Sequence, residues 1–175
     1  MSQQPELVVF DLDDCLWTPE MYTLDQVPSA GDTIMGKLGE HGDGIIAVNS
    51  GTQEIRLFPD ALQVLQKIYL GEYPNSMRIA AASSADTPLA VRIGRASMCL
   101  LEVLPGVTMR NVFDRGWPDG FEDHLQIGRS APLSSNKSKT HFPILRQATG
   151  IAYNQMIFFD DCNWSDHVAM VTCEC

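Results

Sequence analysis

The chain has 175 residues, 45% of them hydrophobic, and carries 12 Lys plus Arg against 22 Asp plus Glu, a net charge of −10. That length and apolar content suit one domain with a full core and exclude a disordered chain. Charge of this sign argues against general binding to nucleic acid or to an anionic membrane, and no apolar run reaches the roughly 18 residues of a membrane span.

Met1–Glu6 is polar and has no apolar core of a secretory leader. The cysteines stand at 15, 99, 162, 173 and 175. An odd number without a small-domain disulfide pattern points to a reducing, cytoplasmic setting.

In chain order, Val8-Val9-Phe10 runs straight into Asp11-Leu12-Asp13-Asp14-Cys15. A short continuous apolar run reads as a strand buried on both faces, the habit of parallel sheets. Carboxylates are not buried bare. Asp11, Asp13 and Asp14 therefore belong at the strand's C-terminal mouth, where α/β sheets bind ligands. Thr18–Gly44 shows no sustained period and reads as irregular. Gly44–Asn49 and Gln53–Phe58 flank Ser50-Gly51-Thr52, a hairpin signal. Residues 18–58 thus read as an insert bearing a small β-hairpin flap, too short for a full cap domain.

Pro59–Tyr69 has the apolar spacing of an amphipathic helix, with Gly71 after its end. Met77–Ser83 reads as a second buried strand. Leu89–Leu104 reads as a helix stopped by Pro105-Gly106, and His124–Gly128 as a short strand. His141–Thr149 reads as a helix closed by Gly150. Gln155–Phe159 is the third strong strand and ends in Asp160-Asp161, while Val171–Cys175 resembles the start of another. This alternation predicts one α/β domain over 1–175, a three-layer, doubly wound, mostly parallel sheet.

Two strands ending in acids and one ending in Ser83-Ser84 would share one rim of such a sheet. Asn136-Lys137-Ser138-Lys139 precedes the helix that leads to Asp160. Clustered carboxylates with backbone oxygens suit a hard cation, Mg²⁺ best of all. A hydroxyl and a lysine suit phosphoryl oxygens. Gly31-Asp-Thr-Ile-Met-Gly36-Lys37 nearly spells a P-loop, but Leu38 stands where a hydroxyl is needed. The residues six after Cys15, Cys99 and Cys162 are Met21, Pro105 and Val168, none the arginine of a cysteine phosphatase. His41, His124, His141 and His167 share no ligand spacing and read as packing or surface residues, as do Trp17, Trp117 and Trp164. Asn163 and Asp166 are candidates to support a metal site from behind.

Asp11-Leu-Asp13-Asp-Cys15 resembles the D-x-D-x-[T/V] signature of haloacid dehalogenase superfamily phosphatases, with Ser83, a lysine at 137 or 139, and Asp160-Asp161 as the later motifs. Phe10-Asp-Leu-Asp13…Leu16-Trp17, Ala81-Ala82-Ser83 and Thr140-His-Phe142…Asp161 are similar to the magnesium-dependent phosphatase branch. The resemblance implies a phosphoaspartyl enzyme. Asp11 would be the nucleophile and Asp13 the general acid and base. Ser83, Ser84 and Lys137 or Lys139 would bind the phosphate, and Asp11, Asp13 (by its backbone oxygen), Asp160 and Asp161 would hold Mg²⁺. The substrate would be a small phosphorylated metabolite or a phosphoprotein, phosphotyrosine included, met by a monomer.

The chain departs from the pattern at Cys15, where Thr is usual, at Ser84, where Arg is frequent, and at Ser138, where the lysine usually stands. The family also continues past residue 175, by a closing strand and helix. Two other readings of the same acids and lysine are a phosphorylated signalling receiver and a catalytically dead binding relative.

Overall fold

The structure, a computed structural model, describes residues 4–74 and 76–161. Its central sheet has four strands, all parallel. β1 (Leu7–Phe10) lies between β10 (Met156–Phe159) and β6 (Arg78–Ser83), and β9 (Leu125–Ile127) lies beyond β6. Side chains alternate across the sheet. Val8, Phe10, Ile79 and Ala81 therefore share one core with helices α1 (Pro59–Leu70), α2 (Pro88–Leu100) and α3 (Met109–Asp114), where they join Leu65, Ile93 and Phe113. Leu7, Val9, Ala80 and Ala82 share the other with Phe142 and Leu145 of α4 (His141–Thr149). Burial on both faces is why β1 reads as an unbroken apolar run, and helices on both faces give the three layers expected.

The insert is more regular than its sequence suggests. β2 (Trp17–Thr18), β3 (Thr33–Lys37), β4 (Asp43–Ser50) and β5 (Gln53–Leu57) form an antiparallel sheet in the order β2-β5-β4-β3. β4 and β5 are the expected hairpin, with Ser50 opposite Gln53 and Gly51 at φ 60. β3 falls in the stretch read as irregular. Its five residues have no apolar alternation and owe their strand geometry to pairing with β4.

The hairpin is packed into the core, with Ala47, Val48 and Ile55 fully buried. The part of the insert that reaches the rim is the short 3₁₀ turn Met21–Thr23 and its neighbour Glu20. That turn lies against α2 at Gly94, where an added Cβ would sit 2.3 Å from the Met21 sulfur.

α2 ends at Leu100 rather than Leu104. Leu101 turns extended, and β7 (Glu102–Leu104) pairs with β8 (Val107–Thr108) around Pro105-Gly106. The Pro-Gly pair makes a hairpin turn there instead of a helix stop. α3 comes directly after, capped reciprocally by Thr108 and Asn111, and its six residues are too few to display a period. Among the described residues no helix is long and apolar enough to cross a membrane. The strand expected at Val171–Cys175 lies outside the described residues.

Candidate active site

Parallel strands deliver their C-terminal ends to one rim. Asp11 follows β1, Asp160 and Asp161 follow β10, Ser83 closes β6, and Gly128-Arg129 follow β9. Phe10 is in register with Phe159, and the Asp11 N–H donates to the Phe159 carbonyl at 2.8 Å, which sets Asp11 beside Asp160. A cleft of about 610 Å³ opens over this rim, lined by Asp11, Asp13, Ser83, Ser84, Lys137, Asp160 and Asp161 among others. A larger apolar groove of about 870 Å³ runs between α1 and β10, and among the described residues Asp60 is the one charged side chain lining it. The titratable and hydroxyl side chains named above gather in the smaller, polar cleft.

Lys137 is the centre of the site. Its Nζ stands 2.7 Å from Asp11 Oδ2 and 2.8 Å from Asp160 Oδ2, and the side chain is almost wholly buried. Asn136 explains the choice between the two lysines. Its Oδ1 accepts from Ser138 Oγ at 2.7 Å and from the Lys139 N–H at 3.1 Å, folding the segment into a tight turn. Lys137 enters the cleft, whereas Lys139 stays exposed and outside its lining. Burial alone would lower the Lys137 pKa, but the Asp11 and Asp160 carboxylates outweigh it and hold the ammonium above its usual value.

Two aspartates two residues apart have different surroundings. Asp11 accepts from the Leu12 N–H at 2.8 Å as well as from Lys137. Burial pushes its pKa up to about 6 even though Lys137 pulls it down. Asp13 faces the insert. Trp17 Nε1 donates to its Oδ1 at 2.8 Å, and the Met21 N–H to its Oδ2 at 3.1 Å. Burial pushes Asp13 up to about 7, against both of those bonds. Asp14 takes the left-handed φ of 52 that turns the chain, and its side chain is exposed and outside the cleft lining. The Cys15 thiol lies 3.5 Å from the Phe159 carbonyl and is pushed up to about 12, chiefly by burial, so it is a neutral tie between β1 and β10.

Asp11, Asp160 and Asp161 each offer a carboxylate oxygen within 4.8 Å of the other two. Three hard oxygens at the mouth of a sheet fit a small divalent cation. Burial and the neighbouring Asp160 raise the Asp161 pKa, as expected for an acid crowded against another. The Asp13 side chain lies outside this trio.

Ser83 is buried at the lip of the cleft. Its carbonyl accepts from the Gly128 N–H at 2.8 Å and lies 3.1 Å from His141 Nε2. Burial lowers His141 to about 4, so the ring is neutral and donates from Nε2. Ser84 Oγ lies 3.5 Å from the Ser135 carbonyl, and Arg129 Nε donates to the Ser84 carbonyl at 2.9 Å.

Glu20, Tyr22, Asp86, Arg129 and Ser135 also line the cleft, and sequence reasoning singled out none of them. Glu20 and Tyr22 belong to the insert's short 3₁₀ turn and its approach, and Asp86, Arg129 and Ser135 lie in loops, none of residue type or spacing that points to the site. For Arg129 a faint signal exists in its place directly after a predicted strand. Trp17 and His141, read as packing residues, are buried but also hold Asp13 and Ser83 in place. Trp117 and His124 stack on each other away from the cleft. Asn163, Trp164, Asp166 and His167 lie outside the described residues.

The sequence matches the family profile described as acid phosphatase over residues 3–175. It is also 27% identical over 161 residues to Magnesium-dependent phosphatase 1 of Homo sapiens, an alignment covering 92% of this chain and 70% of that protein.

Proposed function

Since this chain belongs to the acid phosphatase family, we propose that it is a Mg²⁺-dependent phosphomonoester hydrolase working through an aspartyl phosphate on Asp11. The relative named for its magnesium dependence supports the metal, as does the trio of Asp11, Asp160 and Asp161 oxygens. Asp13 would add its backbone oxygen. Bound there, Mg²⁺ would offset the charge that otherwise keeps a carboxylate from a phosphate dianion.

The observation that carries the reading is the unlike pair of aspartates. One is paired with the Lys137 ammonium and accepts from the Leu12 N–H, while the other faces neutral donors, Trp17 Nε1 and the Met21 N–H. A carboxylate held beside a cation and another held among neutral donors are how one site supplies both an anion and a proton. Asp11 attacks phosphorus, the ester P–O bond breaks, and Asp13 gives its proton to the departing oxygen. Asp13, now ionised, takes a proton from water as that water attacks the aspartyl phosphate, and inorganic phosphate leaves. Ser83 would donate to a phosphoryl oxygen, while Lys137 offsets charge on Asp11 and on the group in flight. Lys139 is left without a role.

The substrate would be a small phosphomonoester or a phosphotyrosine on a protein surface. The catalytic unit would be the single domain 1–175 with 18–58 as its insert, acting as a monomer. The setting would be a reducing, cytoplasmic one. Phosphate release from p-nitrophenyl phosphate tests the reading. Mg²⁺ should support turnover, EDTA should abolish it, and Ca²⁺ should fail to restore it, because calcium takes more ligands at longer distances. Turnover at the same rate without metal would sink the proposal.

A further inference from the structure

Resting on the phosphatase reading, we propose that Arg129 selects substrates that carry a second anion, a carboxylate close to the phosphoryl group. Among the described residues two cations line the cleft, Lys137 and Arg129, against six carboxylates. Lys137 is committed to Asp11 and Asp160. Arg129 is tethered through Nε to the Ser84 carbonyl at 2.9 Å, and its two terminal nitrogens have no partner among the described residues. An exposed arginine is ordinarily a solvated charge. This one is anchored by one edge, lies in an acidic cleft that also includes Asp86, and forms no ion pair with any described acid. What it presents is a planar fork matched to a carboxylate.

Strand order gives the fork its address. Along the rim stand Asp160 on β10, Asp11 on β1, Ser83 on β6 and Arg129 after β9. The bond to Ser84 draws the guanidinium back beside the end of β6. A phosphoryl group seated between Asp11 and Ser83 would have the fork on its β6 side, beyond Ser83 along the rim, with a gap between them. A carboxylate two or three bonds beyond the ester oxygen spans that gap. The substrate class is a phosphorylated hydroxy acid of three or four carbons.

The test compares 3-phosphoglycerate with glycerol 3-phosphate, which differ in a carboxylate replacing a hydroxymethyl group. With Mg²⁺ present, the wild-type kcat/KM should favour the acid by on the order of tenfold or more, as a charge-assisted bidentate contact does. Arg129→Ala should collapse that ratio towards one, mainly through KM for the acid, with its melting temperature checked to confirm the fold. Arg129→Lys should recover part of the ratio, since it restores charge but not the fork. Equal losses on both substrates would overturn the inference, because Arg129 would then hold the transferring phosphoryl group. A wild-type ratio near one would overturn it while leaving the phosphatase reading standing. No phosphate from either substrate would take down both.

Discussion

Asp13 sets the clearest residue-scale expectation. With its pKa near 7, Asp13 as the proposed general acid would carry the leaving-group proton below that pH and lose it above. Asp11 must be ionised, and its pKa near 6 falls further when a cation binds beside it. An alkyl phosphate, whose leaving oxygen needs the proton, should therefore show kcat/KM falling above about pH 7. p-Nitrophenyl phosphate, which leaves readily as an anion, should show a much flatter alkaline limb. Identical limbs would remove Asp13 from the acid's role. Asp11→Asn should lose on the order of 10³-fold or more in rate with the fold retained, and an active Asp11→Asn protein would overturn the nucleophile. Lys137→Ala should lower the rate by roughly 10²-fold or more through lost charge stabilisation. Lys139→Ala should stay close to wild type. Comparable effects from the two lysine substitutions would show that the Asn136 turn does not separate them.

At the scale of elements, the insert governs the acid through α2. Met21 supplies an N–H to Asp13, and its side chain fills the space that Gly94 leaves open. Gly94→Ala should force the buried Met21 away, destabilising the protein by about 1–3 kcal/mol as overpacking does. Losing the Met21 N–H, which pulls the Asp13 pKa down, should also move the alkaline limb to higher pH. In a Met21→Ala background the same substitution should add little. An unmoved limb together with unmoved stability would dissolve this link.

The strands that carry the site were legible because each is an apolar run ending in chemistry: Val8-Val9-Phe10 before Asp11, Ile79–Ala82 before Ser83, Met156–Phe159 before Asp160. β1 and β6 are buried on both faces, so composition alone betrays them, while β10 leaves Ile157 and Phe159 exposed among the described residues and is read from its apolar run all the same. β3, the β7–β8 pair and α3 were not legible. They are short, and partners distant in sequence or a cap at Thr108 define them. The choice of Lys137 over Lys139 was hidden for a similar reason. It depends on an Asn136 side chain bonding its own backbone, a local geometry that spacing to His141 does not encode. Arg129 was hidden because its site is made by strand order.

Over the whole molecule, a net charge of −10 faces an anionic substrate. Raising ionic strength from about 0.01 to 0.15 M shortens the screening length from about 30 to about 8 Å. At saturating Mg²⁺, kcat/KM for a phosphomonoester should then rise severalfold, the reverse of an enzyme that steers its substrate in. A fall with salt would show that the local cations dominate the approach. The cleft's acids also bear on product release. Asp86 and Asp161 are exposed in its lining, Tyr22 likewise, and Glu20 is half-buried. Free phosphate is as anionic as the ester group it came from once its second proton is gone, and it has no leaving group left to anchor it against that field. With Mg²⁺ offsetting Asp161, the remaining acids would favour product expulsion as they slow entry. Inorganic phosphate should be a feeble inhibitor, with a Ki well above the KM of a good substrate.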